Sequence, residues 1–145
     1  MARQDFSFFY PLRVRWSEVD MQAIVFNGNY LNYFDVAFTE YWRETGLPDV
    51  IAQAEAGLEL FARKAVIEYH APARFDDLLD IGVRCAELGR SSMRFVLEIY
   101  NAEELLVSGE MMYVHADSRV RKSEPVPQGW RDVLTRFEQA HPVKT

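Results

Sequence analysis

Apolar and polar residues alternate at the start of the chain. Phe6, Phe8, Tyr10, Leu12, Val14 and Trp16 occupy every second position, which places all six on one face of an extended strand over residues 6–16. Pro11 falls inside that run and cannot donate a ladder hydrogen bond, so the strand is predicted at a sheet edge or starting after it. Between residues 29 and 45 the period changes. Tyr30, Phe34, Ala37, Phe38, Tyr41 and Trp42 recur at helical spacing and form a wide apolar stripe. Asn27, Gly28 and Asn29 are its N-cap candidates, and Gly46 followed by Pro48 is its stop. A short helical turn is predicted over residues 49–57. Beyond residue 58 the alternation returns four times: Ala65, Ile67, Tyr69; Leu79, Ile81, Val83, Cys85; Met93, Phe95, Leu97, Ile99; and Leu105, Val107, Met111, Tyr113. Short links at 73–77, 89–92 and 101–104 read as the hairpins of an antiparallel meander. Trp130, Val133, Leu134 and Phe137 then mark an amphipathic helix beyond Pro125 and Pro127.

The order strand, long helix, four strands, short helix implies an α+β fold, with one antiparallel sheet of about five strands packed on a helix. That helix is too aromatic to lie on a surface, so the sheet is expected to curl round it and bury it on most sides. At 145 residues, without a repeat or linker, the chain is expected to be a single domain over residues 1–145.

Composition narrows the function. A 49% hydrophobic, 26% charged chain with 14% aromatic residues buries enough to fold, which excludes disorder. A net charge of −6 leaves no overall positive field for nucleic acid or anionic lipid, so neither is expected as a partner. Cys85 is the single cysteine, which rules out an internal disulfide or a Cys-rich zinc site and suggests a reducing compartment, the cytoplasm. No stretch approaches the roughly 20 apolar residues of a membrane span. Arg13 and Arg15 interrupt the N-terminal apolar run, which reads as no signal peptide. His70, His115 and His141 show no H-x-H or H-x-x-x-H pairing, so no metal is expected. The sequence has no G-x-S-x-G, P-loop or G-x-G-x-x-G. No cofactor is expected.

Chemistry is concentrated in WSEVDMQAIVFNGNYLNY, residues 16–33, which joins the first strand to the long helix. Asp20 is an acid just after a strand. The run 23–26 is apolar enough to shield a small pocket. Near Asn27 and Gly28 a helix begins, and its unpaired N–H groups and dipole suit an anion or a polarised carbonyl. Ester and thioester hydrolysis needs a carboxylate together with oxyanion donors. On physical grounds alone, Asp20 and Gly28 could equally serve to cap a turn and ease the chain into the helix. Glu18, Asp35 and Glu40 are rival acids.

The stretch RVRWSEVDMQAIVFNGNYLNYFDVA, with IEYHAPARFDDLLDI and the loop LGRSS, resembles the 4-hydroxybenzoyl-CoA thioesterase group of hotdog-fold enzymes over nearly the whole chain. The resemblance implies a sheet wrapped round a central helix, and subunits paired as a dimer or homotetramer with acyl-CoA, the substrate, at the interface. It implies that Asp20 is the catalytic carboxylate, acting as nucleophile or general base. It also implies that the backbone N–H of Asn27 faces the thioester oxygen, and that Arg90, Ser91 and Ser92 contact the nucleotide or pantetheine part of coenzyme A. Phe26, Gly28 and Tyr30 would line the substrate pocket. Many relatives carry Gly in place of Ala23, and His or Tyr in place of Asn27. An alanine at 23 is crowded if the turn needs positive φ.

Thioester hydrolysis is therefore the leading expectation. A hydratase acting on acyl-CoA would need an Asp and a His in one site, and no His follows Asp20 within 40 residues. A non-catalytic acyl-CoA-binding protein is the alternative that the two departures leave open. The acyl group is not specified: Phe26, Tyr30 and Phe34 suit an aryl or a medium acyl chain equally.

Overall fold

The computed structural model of the chain describes residues 3–145. Six strands form one antiparallel sheet: β1 (Phe9–Arg13), β2 (Leu58–Tyr69), β3 (Leu78–Leu88), β4 (Ser92–Asn101), β5 (Glu104–Asp117) and the two-residue β6 (Lys122–Ser123). The order across the sheet is β1-β3-β4-β5-β2, with β6 added to β5. Three helices accompany it: α1 (Asn29–Thr45), α2 (Val50–Glu55) and α3 (Gln128–Phe137).

Period-two patterning places the core. Leu79, Ile81, Val83 and Cys85 of β3 and Met93, Phe95, Leu97 and Ile99 of β4 are fully buried, and they meet Tyr33, Phe34, Ala37 and Tyr41 of α1. Each such large apolar side chain contributes roughly 1.5–3 kcal/mol by burial. Phe38 stacks on Tyr113 at 4.4 Å and meets Phe95 edge-on at 4.8 Å, so α1 is held by rings as well as by area. Gly109 lets β5 pass close to the helix: a Cβ there would lie 2.2 Å from the Val66 carbonyl and 2.8 Å from the Phe34 ring.

The helix ends follow the sequence signals. Gly46 closes α1 at φ 79°, a left-handed position that suits glycine. Asp49 caps α2 by accepting the Ala52 N–H at 2.8 Å. At the start of α1, however, Gly28 occupies the cap with helical dihedrals and no side-chain cap bond forms. Asn29 instead donates its side-chain amide to the Glu18 carbonyl at 2.9 Å.

Four other expectations are corrected. The first strand is shorter than residues 6–16, because Trp16 turns into a short 3-10 helix (Trp16–Glu18) and is 69% exposed. Pro11 does lie on an edge strand, opposite Asp80 of β3. The link at 73–77 is not a hairpin: β2 pairs with β5, not β3, so the meander comprises β3, β4 and β5 only. In β5 an irregularity opposite Ile99 and Tyr100 shifts the alternation, and Leu106 is buried where Leu105 was expected. Finally, α1 is covered on one side only. Leu31, Asn32, Asp35, Val36 and Thr39 are exposed, because a single sheet can wrap one face of a helix and, among the described residues, nothing covers these side chains.

Candidate active site

Residues 19–25 form a tight hairpin. Val19 bridges Val25, Asp20 donates its N–H to Ile24 O at 2.9 Å, and Ala23 returns its N–H to Asp20 O at 3.0 Å. Asp20 Oδ1 accepts the Gln22 N–H at 2.8 Å, the bond that makes an Asx turn. The carboxylate is exposed at the tip. Ala23 takes φ 59°, so the turn does require a positive φ, and an alanine bears it.

The hairpin is fastened on both sides. Ile24 bridges Arg74, Val25 donates to Ala73 O at 2.9 Å, and Phe75 donates to Ala23 O at 3.0 Å. Phe26 donates to Glu18 O at 3.0 Å. Among the described residues, the N–H groups of Asn27 and Gly28 enter none of these backbone bonds, so they remain available at the positive end of the α1 dipole. The expected apolar shield is incomplete: Val25 is buried, but Ala23 is exposed and Phe26 is 55% exposed.

An open cleft of about 410 Å³ lies beside the helix start, lined by Ile24, Val25, Asn27, Tyr30, Tyr69, His70, Ala71 and Pro72. Tyr30 is buried, and its hydroxyl accepts the Ala73 N–H at 3.0 Å. Desolvation raises the Tyr30 pKa, and the negative field of Asp20 reaches it too. Tyr69 donates its hydroxyl to Asn27 O at 3.3 Å. His70 Nε2 lies 2.8 Å from Ser108 Oγ. Tyr69 and His70 were not singled out for the site from sequence. The return of β2 brings them beside Asn27, 42 residues apart for the Tyr69 bond. The only advance signal was the IEYHAPARFDDLLDI motif that contains them.

Of the anticipated residues, Asn27 and Tyr30 line this cleft, while Asp20, Phe26 and Gly28 lie in the hairpin and loop that lead to it and are not among its walls. Arg90, Ser91 and Ser92 lie elsewhere. They form the β3–β4 turn, where Val126 donates to Arg90 O, His115 donates to Ser91 O and Gly89 donates to Ser92 O, each at 2.8 Å. Arg131 donates its guanidinium to Gly89 O in the same turn. The hairpin of Asp20 docks at residues 73–77, just before β3, so the 11 residues of that strand separate the two groups. That is roughly 35 Å of extended chain.

The rival acids have different surroundings. Glu18 is held by Arg15 and Tyr33, and Glu40 pairs with Arg43 at 2.5 Å. Asp35 lines a second cavity of about 630 Å³ between α1, α2, β2 and β5, with Phe38, Trp42 and Tyr113 among its walls. Desolvation raises the Asp35 pKa, against an opposing hydrogen bond from Tyr113. Among the described residues no three ligating side chains gather as a metal site, and no helix is long and apolar enough to cross a membrane.

The sequence signature of the thioesterase-like superfamily matches residues 14–135. The chain belongs to that superfamily, and its curled antiparallel sheet round α1 is the hotdog fold. An acyl-CoA thioester hydrolase, YbgC of Escherichia coli O6:H1, is 29% identical over 133 residues, covering 91% of this chain and 96% of that protein. A crystal structure of a protein from Aquifex aeolicus superposes with a TM-score of 0.81 at 28% identity, over 88% of this chain and 98% of the other. The fold is shared as well with a 1,4-dihydroxy-2-naphthoyl-CoA thioesterase from Synechocystis, at a TM-score of 0.82 and 22% identity over 88% and 94% of the two chains.

Proposed function

We propose that this chain hydrolyses an acyl-CoA or aryl-CoA thioester to the free acid and coenzyme A. The observation that carries this reading is the hairpin at residues 19–25, which holds Asp20 just before the start of α1, where the Asn27 and Gly28 N–H groups enter no backbone bond among the described residues. The likeness to an acyl-CoA thioester hydrolase over nearly its full length supports it. In this reading the thioester oxygen sits against those N–H groups. Asp20 either attacks the carbonyl carbon or takes a proton from the water that does. As the tetrahedral intermediate collapses, the C–S bond breaks and the thiolate leaves to be protonated. Where Asp20 is the nucleophile, water then hydrolyses the mixed anhydride on its carboxylate, so water is the only co-reactant in either route. No cofactor is required, since coenzyme A is part of the substrate.

A homo-oligomer completes the site. Arg90, Ser91 and Ser92 lie a strand's length from Asp20, so their contact with coenzyme A is best made from a neighbouring subunit. The edge strand β2 and the uncovered face of α1 are surfaces that a second copy would bury. A single domain spanning residues 1–145 carries the activity, and the buried thiol of Cys85 suits the cytoplasm.

The deciding measurement is thiol release from a panel of acyl-CoAs. Asp20→Asn should lower kcat by about 100-fold or more with KM little changed, while Glu40→Gln should be mild. Asp35→Asn tests the second reading, favoured by the raised pKa of Asp35 at a larger cavity. Turnover that survives Asp20→Asn but disappears with Asp35→Asn would transfer the catalytic role to the helix.

A further inference from the structure

The acid two residues before Asp20, at the end of the short 3-10 helix that leads into the hairpin, is heavily engaged. Glu18 Oε1 accepts the Arg15 N–H at 2.8 Å and the Tyr33 hydroxyl at 2.9 Å. Its Oε2 accepts the Arg15 guanidinium through both Nε and Nη2. The Glu18 carbonyl accepts Phe26 N–H at 3.0 Å and the Asn29 side-chain amide at 2.9 Å. One residue thus joins the chain before Asp20, the chain after it, and the first two turns of α1. Tyr33 is 1% exposed and packs edge-on against Tyr30 at 5.9 Å, so the anchor for this carboxylate is the buried core.

A surface turn gains nothing from a largely buried carboxylate, whose desolvation is unfavourable. The side chain of Glu18 is only 13% exposed. Its role must come from what it holds. Nor is it suited to be the base: although burial opposes ionisation, the bonds from Arg15 and Tyr33 win and keep its pKa below the ordinary value.

We propose that Glu18 is a positioning residue, whose carboxylate, through Arg15 and Tyr33, sets the Asp20 carboxylate in register with the N–H groups that open α1. The inference rests on the reading of Asp20 as the working acid. Displacement of a reacting group by about 1 Å can cost on the order of 100-fold. Glu18→Gln therefore lowers kcat for an acyl-CoA by about 10- to 100-fold, leaves KM little changed, and leaves a folded protein. Tyr33→Phe removes only the bond to α1, and lowers kcat in the same direction but less. The double variant is slower than Glu18→Gln, because glutamine keeps an oxygen that accepts the Tyr33 hydroxyl and only the second change removes that bond.

The experiment measures kcat, KM and thermal midpoint for Glu18→Gln, Tyr33→Phe, the double variant and Asp20→Asn against one acyl-CoA. A folded Glu18→Gln protein with wild-type kcat, or with its whole loss in KM, overturns the proposal. Should Glu18→Gln fail to fold, an unaltered kcat in Tyr33→Phe overturns it equally. If Asp20→Asn is inactive and Glu18→Gln is not, only the positioning role falls. If Asp20→Asn stays active while Glu18→Gln is dead, Glu18 is itself the acid and both readings fall.

Discussion

Ala23 holds φ 59°, where its Cβ crowds the backbone, in the hairpin that carries Asp20. Such a conformation costs a non-glycine residue about 1–2 kcal/mol, partly offset by the greater entropy a glycine loses on folding. Ala23→Gly is expected to stabilise the protein by about 0.5–1 kcal/mol, seen as a higher urea midpoint at constant m. A lower midpoint would show that the strain is not felt. Glu18 supplies the pH counterpart. Its folded pKa lies below the ordinary value of 4.5, so its contribution is present above that value and is lost as pH falls through the folded pKa. Glu18→Gln should flatten the acid limb of stability below about pH 4.5 and leave its shape near neutrality unchanged. An acid limb identical to wild type would contradict this.

At the scale of elements, α3 and α1 are joined through one buried acid. Glu138 follows α3, is 1% exposed, and accepts the Tyr41 hydroxyl at 2.5 Å and the Cys85 N–H at 3.0 Å. Burial raises its pKa, more than these bonds and the fields of Arg84 and His141 lower it. It also pushes the Cys85 thiol up to about 12, so that cysteine is a packing residue rather than a nucleophile. With a raised folded pKa, the contribution of Glu138 is complete below its unfolded value near 4.5 and fades as pH rises through the folded one. Glu138→Ala leaves two buried donors unpaired and a cavity, for a loss of about 2–4 kcal/mol. Glu138→Gln keeps the acceptor and removes the charge, so its deficit against wild type should shrink as pH rises, measured by urea unfolding at several pH values. A deficit that grows with pH would mean the carboxylate is stabilised where it lies.

At the scale of the molecule, the proposed site shared between subunits predicts that function depends on assembly. Light scattering should find an oligomer rather than the 16.9 kDa chain. An active monomer would end the shared-site reading. Subunit exchange is the finer test. Asp20→Asn and Arg90→Ala proteins, each impaired, should regain turnover when mixed, because one mixed site then combines an intact Asp20 with an intact Arg90. No recovery, with exchange verified, would place Arg90 outside the substrate site. The helix start near residues 27–29 was legible in the sequence because a change of period is a local signal, whereas the hairpin round Asp20 was not. The role of Tyr69 and His70 as walls of the cleft was not, since neither residue type nor period says which surface a strand end will meet.

What the sequence determined by itself was therefore periodicity and its local consequences. Alternation defined the buried faces of β3 and β4, the helical stripe defined α1, and Gly46 its end. The tertiary structure alone decided partners. A period of two tells which side chains share a face but leaves the neighbouring strand open, and so the pairing of β2 with β5 rather than β3 is a long-range choice that the pattern does not encode. That pairing brought the end of β2 back beside the helix start, where Tyr69 meets Asn27.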